Sequence, residues 1–203
     1  MTSSAERWDA IYASVREPGA PGDFVLDWER FLPEVGTAVD LAGGSGGTAL
    51  WLASRGLAVT LVDGSARALA TAGEAAGVRG LELSLQRRDL EEEGPPEGRW
   101  DLVVVSNFLH RPLLGELARL LVPGGLALVR IATVRNLERN QHPSRRFLVE
   151  EGELHSLCTG LAVVEYQEGW FGGRHEARLA ARHITTPTPQ SKFGRRGPVS
   201  GPR

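Results

Sequence analysis

Residues 37–65 read TAVDLAGGSGGTALWLASRGLAVTLVDGS. The apolar pair Ala38-Val39 runs into an acid, Asp40, and then into four glycines, Gly43, Gly44, Gly46 and Gly47. Residues 48–55 have helical composition and stop at Gly56. A second apolar run, 57–62, ends in another acid, Asp63. Strand, glycine turn, helix, strand is the unit that builds a parallel sheet. An α/β fold is expected.

The chemistry follows residue by residue. Gly44 and Gly46 carry no side chain, so a ligand can approach the backbone there. The helix that follows turns free N–H groups toward the same space. Asp63, at the tip of the second strand, is placed to accept hydrogen bonds from two ribose hydroxyls. A tight turn without a ligand would need the glycines but not acids at two successive strand ends, so a nucleoside ligand is the stronger reading. Gly44-x-Gly46-x-x-Ala49 fits a loose dinucleotide fingerprint, with Asp63 near the expected ~20-residue offset. Asp40 argues the other way. Facing the pocket, its carboxylate would repel a pyrophosphate and attract a sulfonium or an ammonium. S-adenosylmethionine carries both cations and no phosphate.

Asp40-x-x-x-Gly44-x-Gly46 resembles the glycine-rich first motif of class I S-adenosylmethionine-dependent methyltransferases. Ala42 stands where many members carry the first glycine, a substitution that suits the turn if the backbone there keeps φ negative. Near the N-terminus, WDAIY (residues 8–12) followed by a Gly/Pro loop and Asp23-Phe24 resembles the signature of the tellurite-resistance branch. In that branch the Trp-Asp and Tyr elements close over the methionine end of the cofactor, which implies roles for Trp8 and Tyr12. Ile11 stands where the branch carries a basic residue.

The rest of the chain fills out the sheet. Trp8, Ile11, Tyr12 and Val15 share one helical face, and EPGAPG (17–22) breaks that helix into a loop. Phe24, Trp28, Phe31 and Leu32 repeat at helical spacing up to Pro33, with Trp28 and Phe31 expected in the core. A helix over 65–76 has Ser65 as N-cap. A third strand over 81–85 leads into Arg88-Asp89-Leu90. The resemblance implies that Asp89 accepts from the adenine amino group, with Gly64 and Leu90 beside it. WDLVVVSNF (100–108) reads as a buried parallel strand, whose end places Ser106, Asn107 and His110 at the pocket. Pro112 suits a helix start, and Leu113, Leu114, Leu117, Leu120 and Leu121 form an apolar stripe. Pro123-Gly124-Gly125 turns into a fifth strand over 126–132. Residues 135–146 are expected to loop over the pocket, and 147–160 to form a helix. Strands over 161–167 and 175–184, joined by EGWFGGR, complete a doubly wound, mostly parallel seven-stranded sheet with an antiparallel last strand, the Rossmann-like methyltransferase fold. SNFLHRPLL and LVPGGLALV carry the resemblance through the middle of the chain.

Size and composition set the bounds. The 203 residues suggest one domain over 1–184, with 1–33 as an N-terminal helical cover. Residues 185–203 are Pro-, Gly- and Arg-rich and expected to be disordered. Net charge is −2 and only one of 23 basic residues is lysine, so bulk charge gives no reason to expect nucleic acid or an anionic membrane as partner. The single Cys158 excludes an intrachain disulfide, and the histidines His142, His155 and His175 have no metal-ligand spacing, so no metal is expected and all three are read as surface residues. Cys158 is read as core. Without an apolar signal or spanning segment, a cytoplasmic monomer or homodimer is the default.

Methyl transfer from a sulfonium needs chiefly orientation of donor and acceptor. His110 is the candidate base or orienting group, and Arg111 could attract an anionic acceptor. The resemblance implies a small-molecule acceptor, such as a chalcogen or metalloid oxyanion or a thiol. An NAD(P)-dependent oxidoreductase and a non-catalytic S-adenosylmethionine-binding protein are the alternative readings.

Overall fold

The computed structural model describes residues 4–184; the tail over 185–203 lies outside them. Two short helices, α1 (Ser4–Tyr12) and α2 (Asp23–Asp27), precede the sheet, and a single 3-10 turn, Glu29–Phe31, follows α2. Then come β1 (Thr37–Leu41), α3 (Gly47–Ser54), β2 (Ala58–Asp63), α4 (Ala66–Val78), β3 (Leu83–Arg87) and β4 (Trp100–Ser106). The second half holds α5 (Arg111–Gly115), β5 (Leu121–Ala132), α6 (Glu153–Leu157), β6 (Leu161–Phe171) and β7 (Arg174–His183). The seven strands lie in the order β3-β2-β1-β4-β5-β7-β6. β1 to β5 are mutually parallel, and β7 is inserted antiparallel between β5 and β6. The order reverses between β1 and β4, where open α/β sheets bind ligands.

Both faces of the sheet are covered, as continuous apolar strands require. One face buries Ala38, Leu61, Leu102, Val104 and Leu128 against Phe24, Trp28, Ala49, Leu52 and Ala72. The other buries Val39, Leu41, Val103, Val105 and Val129 against Leu113, Leu114, Leu117, Leu120 and Leu154. The leucine stripe is thus core throughout, although its helix is broken: α5 ends at Gly115 and a 3-10 turn carries Leu117–Leu120. Trp28 is buried and donates from Nε1 to Glu165 Oε1 (3.1 Å), while Phe31 is only partly covered. Ser65 caps α4 as expected, accepting from Ala68 N–H (3.1 Å).

Several boundaries differ from the sequence reading. α1 stops at Tyr12, short of Val15, and α2 gives way to a 3-10 turn after Trp28. β3 starts at Leu83. β5 starts at Leu121, with Pro123-Gly124-Gly125 inside it at a register shift opposite Trp100 and Leu102. β6 runs to Phe171, and only Gly172-Gly173, both with positive φ, turn the hairpin. The helix expected over 147–160 shrinks to α6. Val149 is claimed by the sheet: its N–H donates to Ala132 O (3.1 Å) and its carbonyl accepts from Val134 N–H (2.9 Å). Gly152 then adopts φ 74°, so no continuous i→i−4 ladder can pass.

Candidate functional site

The C-terminal ends of β1, β2 and β4 lie side by side, with Leu41 in register with Val62 on one flank and Val105 on the other. Asp40 enters this edge from the buried β1. Its carboxyl is 1% exposed, and Oδ2 has no hydrogen-bond partner. Burial, and then the neighbouring Asp63, push it up to about 7; an N–H from Ala49 only partly offsets this. A buried, unpaired acid is costly and calls for a positive partner. Asp63 is also buried. Its Oδ2 accepts from Gly44 N–H (2.8 Å) and its Oδ1 from Ser65 N–H (2.8 Å). Burial raises its carboxyl, and those two N–H groups work against the rise. One lone pair on each oxygen is left for further donors.

The glycines turn out to make room chiefly for protein. Gly44 has φ 58°, and a Cβ on it would collide with the Tyr12 hydroxyl. Tyr12 therefore stands on the glycine turn, with its phenol held protonated by burial and by Asp63 and Asp40. Trp8 lies one turn back on α1, its ring 6.5 Å from that of Tyr12. A Cβ on Gly47 would meet the carbonyl oxygens of Gly19 and Ala20, the latter at 2.8 Å. The EPGAPG loop is thus laid across the first turn of α3 and pinned there by Gly22 N–H donating to Thr48 Oγ1 (3.1 Å). The place where a phosphate would meet the α3 N–H groups is roofed by carbonyls. Around the turn stand two buried carboxyls, a phenol and two carbonyl oxygens, a set that suits a cation and opposes a phosphate.

Ala42 corrects an expectation. Its φ is 55°, in the left-handed region that costs a residue with a Cβ roughly 1–2 kcal/mol. Ala42→Gly is therefore expected to raise stability by about 0.5–1 kcal/mol, after allowance for the extra freedom of glycine in the unfolded chain. A urea titration checks this; an unchanged midpoint would show that the turn relaxes around alanine.

The remaining predicted residues spread along the same edge. Asp89 accepts at Oδ1 from Glu91 N–H (3.0 Å), closing the turn after β3. Gly64 lies beside Asp63, its carbonyl accepting from Arg87 Nε (3.3 Å). Leu90 is buried in the core with Leu41 and Val62. Ser106 Oγ accepts from Arg130 Nη2 (2.9 Å), and Asn107 follows with φ 58° and its N–H on Arg130 O (2.8 Å). His110 precedes α5, and its buried Nδ1 has no partner. Arg111 is held bidentately by Glu153 (2.6 and 3.1 Å). His142 and His155 are exposed as expected, but His175 is buried with Nδ1 2.7 Å from Thr133 Oγ1. Its strand, β7, sits inside the sheet, so an end residue becomes an interior one. Cys158 is core, and burial pushes its thiol up to about 12.

Sequence reasoning gave no role to Arg130, Glu176 or Arg178. Arg178 and Glu176 are 1% and 2% exposed. Arg178 donates to Glu176 Oε1 (2.7 Å), Asp27 Oδ2 (2.9 Å) and Asp23 Oδ2 (2.8 Å). Arg130 donates to Asp23 Oδ1 (2.6 Å). This network ties α2, and so the loop before it, to β5 and β7. The only sequence signal was Asp23-Phe24; its partners lie more than 100 residues away.

Residues 38–125 match the family model of a methyltransferase domain. The matched segment runs from β1 through β4 to the start of β5 and contains Asp40, Asp63 and Asp89. No curated protein matches the sequence. Among solved structures, one reported for the conversion of a disulfide bond into a thioacetal group during echinomycin biosynthesis aligns with TM-score 0.71 at 23% identity, covering 90% of this chain and 92% of that one. TehB from Haemophilus influenzae gives 0.69 at 21%, over 87% of this chain and 66% of that one. A SAM-dependent methyltransferase from Aquifex aeolicus gives 0.67 at 17%, over 87% and 98%. The fold is therefore the Rossmann-like one of methyltransferases, with the antiparallel β7 inside the sheet. Among the described residues no helix is long and apolar enough to cross a membrane.

Proposed function

We propose that this chain is an S-adenosylmethionine-dependent methyltransferase acting on a small-molecule acceptor. The observation that carries the reading is Asp40: a buried carboxyl with an unpaired oxygen, beside a helix start already roofed by carbonyls. A cationic nucleoside without phosphate fits both features, and a dinucleotide fits neither. Asp63 would take the ribose hydroxyls, and Asp89 with Leu90 the adenine. Trp8, Tyr12, Asp40, Ala42, Gly44, Gly46, Gly64, Ser106 and Asn107 would line the rest of the cofactor's path. The bound cofactor supplies an activated methyl group. The chain's own task is to orient the acceptor, exclude water and receive a proton, for which His110 with its unpartnered Nδ1 is the candidate.

The arginines at this edge bear on the acceptor. Arg111 is held by Glu153, Arg130 by Asp23, and Arg178 by Glu176, Asp23 and Asp27. An oxyanion would have to displace a carboxylate already paired with each. A thiol needs no such displacement. Calorimetry with S-adenosylhomocysteine is expected to give a dissociation constant in the micromolar range, about −7 to −8 kcal/mol, with NADH giving no heat. No S-adenosylhomocysteine binding at millimolar ligand would refute the reading.

A further inference from the structure

Asp9 has no part in the chemistry above, yet α1 is anchored through it. Its Oδ1 accepts from the Ser65 hydroxyl (2.5 Å) and from Arg67 N–H (3.2 Å). Those two bonds, the Ser65 one first, hold its carboxyl below the usual range, with Arg87 and Arg67 adding charge. Ser65 is fully buried and faces two ways. Its hydroxyl bonds Asp9, while its N–H donates to Asp63 Oδ1 (2.8 Å). Asp9 and Tyr12 are three residues apart on α1 and so share a face. Among the described residues Asp9 makes the side-chain hydrogen bonds that hold α1; Ile11 and Trp8 are 52% and 38% exposed, and a nine-residue helix is marginal by itself.

We propose that Asp9 is the positioning residue for Tyr12. Latched to Ser65, it sets the phenol over the glycine turn. Through the same serine it joins this cover to Asp63, the acid assigned to the ribose. Occupying Asp63 then steadies Ser65, and Ser65 steadies the cover. The ligand half of the inference rests on the S-adenosylmethionine reading; the latch does not.

Two arms test it. In the ligand-free protein, Asp9→Ala should speed amide exchange across residues 7–12 while the melting temperature stays within about 2 °C of wild type, because the contact is local to the chain's first helix. Unchanged exchange, or a global loss of protection, would overturn the latch. In the second arm, Asp9→Ala and Tyr12→Ala should each weaken S-adenosylhomocysteine binding about tenfold. The double variant should be no more than about twofold worse than the poorer single, since one acts through the other. Asp9→Asn keeps an oxygen acceptor and should stay within about threefold of wild type. Additive losses, or an Asn variant as weak as the Ala one, would overturn the positioning role. If the wild-type chain bound no S-adenosylhomocysteine, the assigned function would fall, and the exchange arm would still decide the latch.

Discussion

Arg178→Ala should destabilise the protein by about 3–5 kcal/mol, because it leaves a buried charge without its partner. Arg178 on β7 is 1% exposed, and its guanidinium lies 3.8 Å over the Phe171 ring. Glu176 beneath it is 2% exposed, and the next cation, Arg130, reaches it only at 3.9 Å. Asp23 and Asp27 are about 60% exposed and can return to water, so the cost falls on Glu176. At ~2–4 °C per kcal/mol for a chain of this size, the melting temperature should drop by roughly 6–20 °C. Replacing both partners, Arg178→Met with Glu176→Leu, should recover most of the loss, since apolar groups of similar volume need no counter-charge. Equilibrium urea denaturation checks both variants. A loss under about 1 kcal/mol in Arg178→Ala would show that Glu176 finds water or Arg130 instead.

Asp40→Asn should have two opposite effects. It should weaken S-adenosylhomocysteine binding by about 2–4 kcal/mol, the cost of removing one partner of a buried charge pair. It should also stabilise the ligand-free protein at pH 8. The sign follows from the raised carboxyl: with a folded value of about 7 against the ordinary 3.8, the native state holds a proton that the unfolded chain has released. Wild-type stability therefore falls as pH rises from about 4 to 7 and is flat beyond, to an upper bound of roughly 4 kcal/mol. The amide carries no such cost, so the gap between variant and wild type should widen over that interval. Melting curves at pH 5 and pH 8 measure it, and an equal gap at both would mean that Asp40 is hydrated.

The sheet was legible because its strands are short apolar runs punctuated by Gly and Pro, and both site acids end such runs. Leu113 to Leu121 read correctly as core even though their helix is broken, since burial follows the stripe and not the hydrogen-bond ladder. The features that escaped are pairings between distant residues. Asp9 and Ser65 are 56 positions apart, and Asp23 and Arg178 are 155 apart. No local pattern links them. The helix expected over 147–160 failed for a related reason: Val149 looks helical in sequence and is captured by Ala132 and Val134. Gly44 and Gly46 read as open to a ligand, whereas Tyr12 fills that room at Gly44 and Ala72 with Leu61 fills it at Gly46. The strained Ala42 could be suspected only from the glycine that related motifs carry there.

The most direct test of a cleft organised by a buried carboxyl is the affinity for S-adenosylhomocysteine from pH 5.5 to 8.5. Binding should tighten up to about tenfold per pH unit below 7, as the ligand's ammonium takes the place of the Asp40 proton, and then level off. The residual binding of Asp40→Asn should not change over that range. An affinity independent of pH in the wild-type protein, or preferential binding of a dinucleotide, would contradict the account.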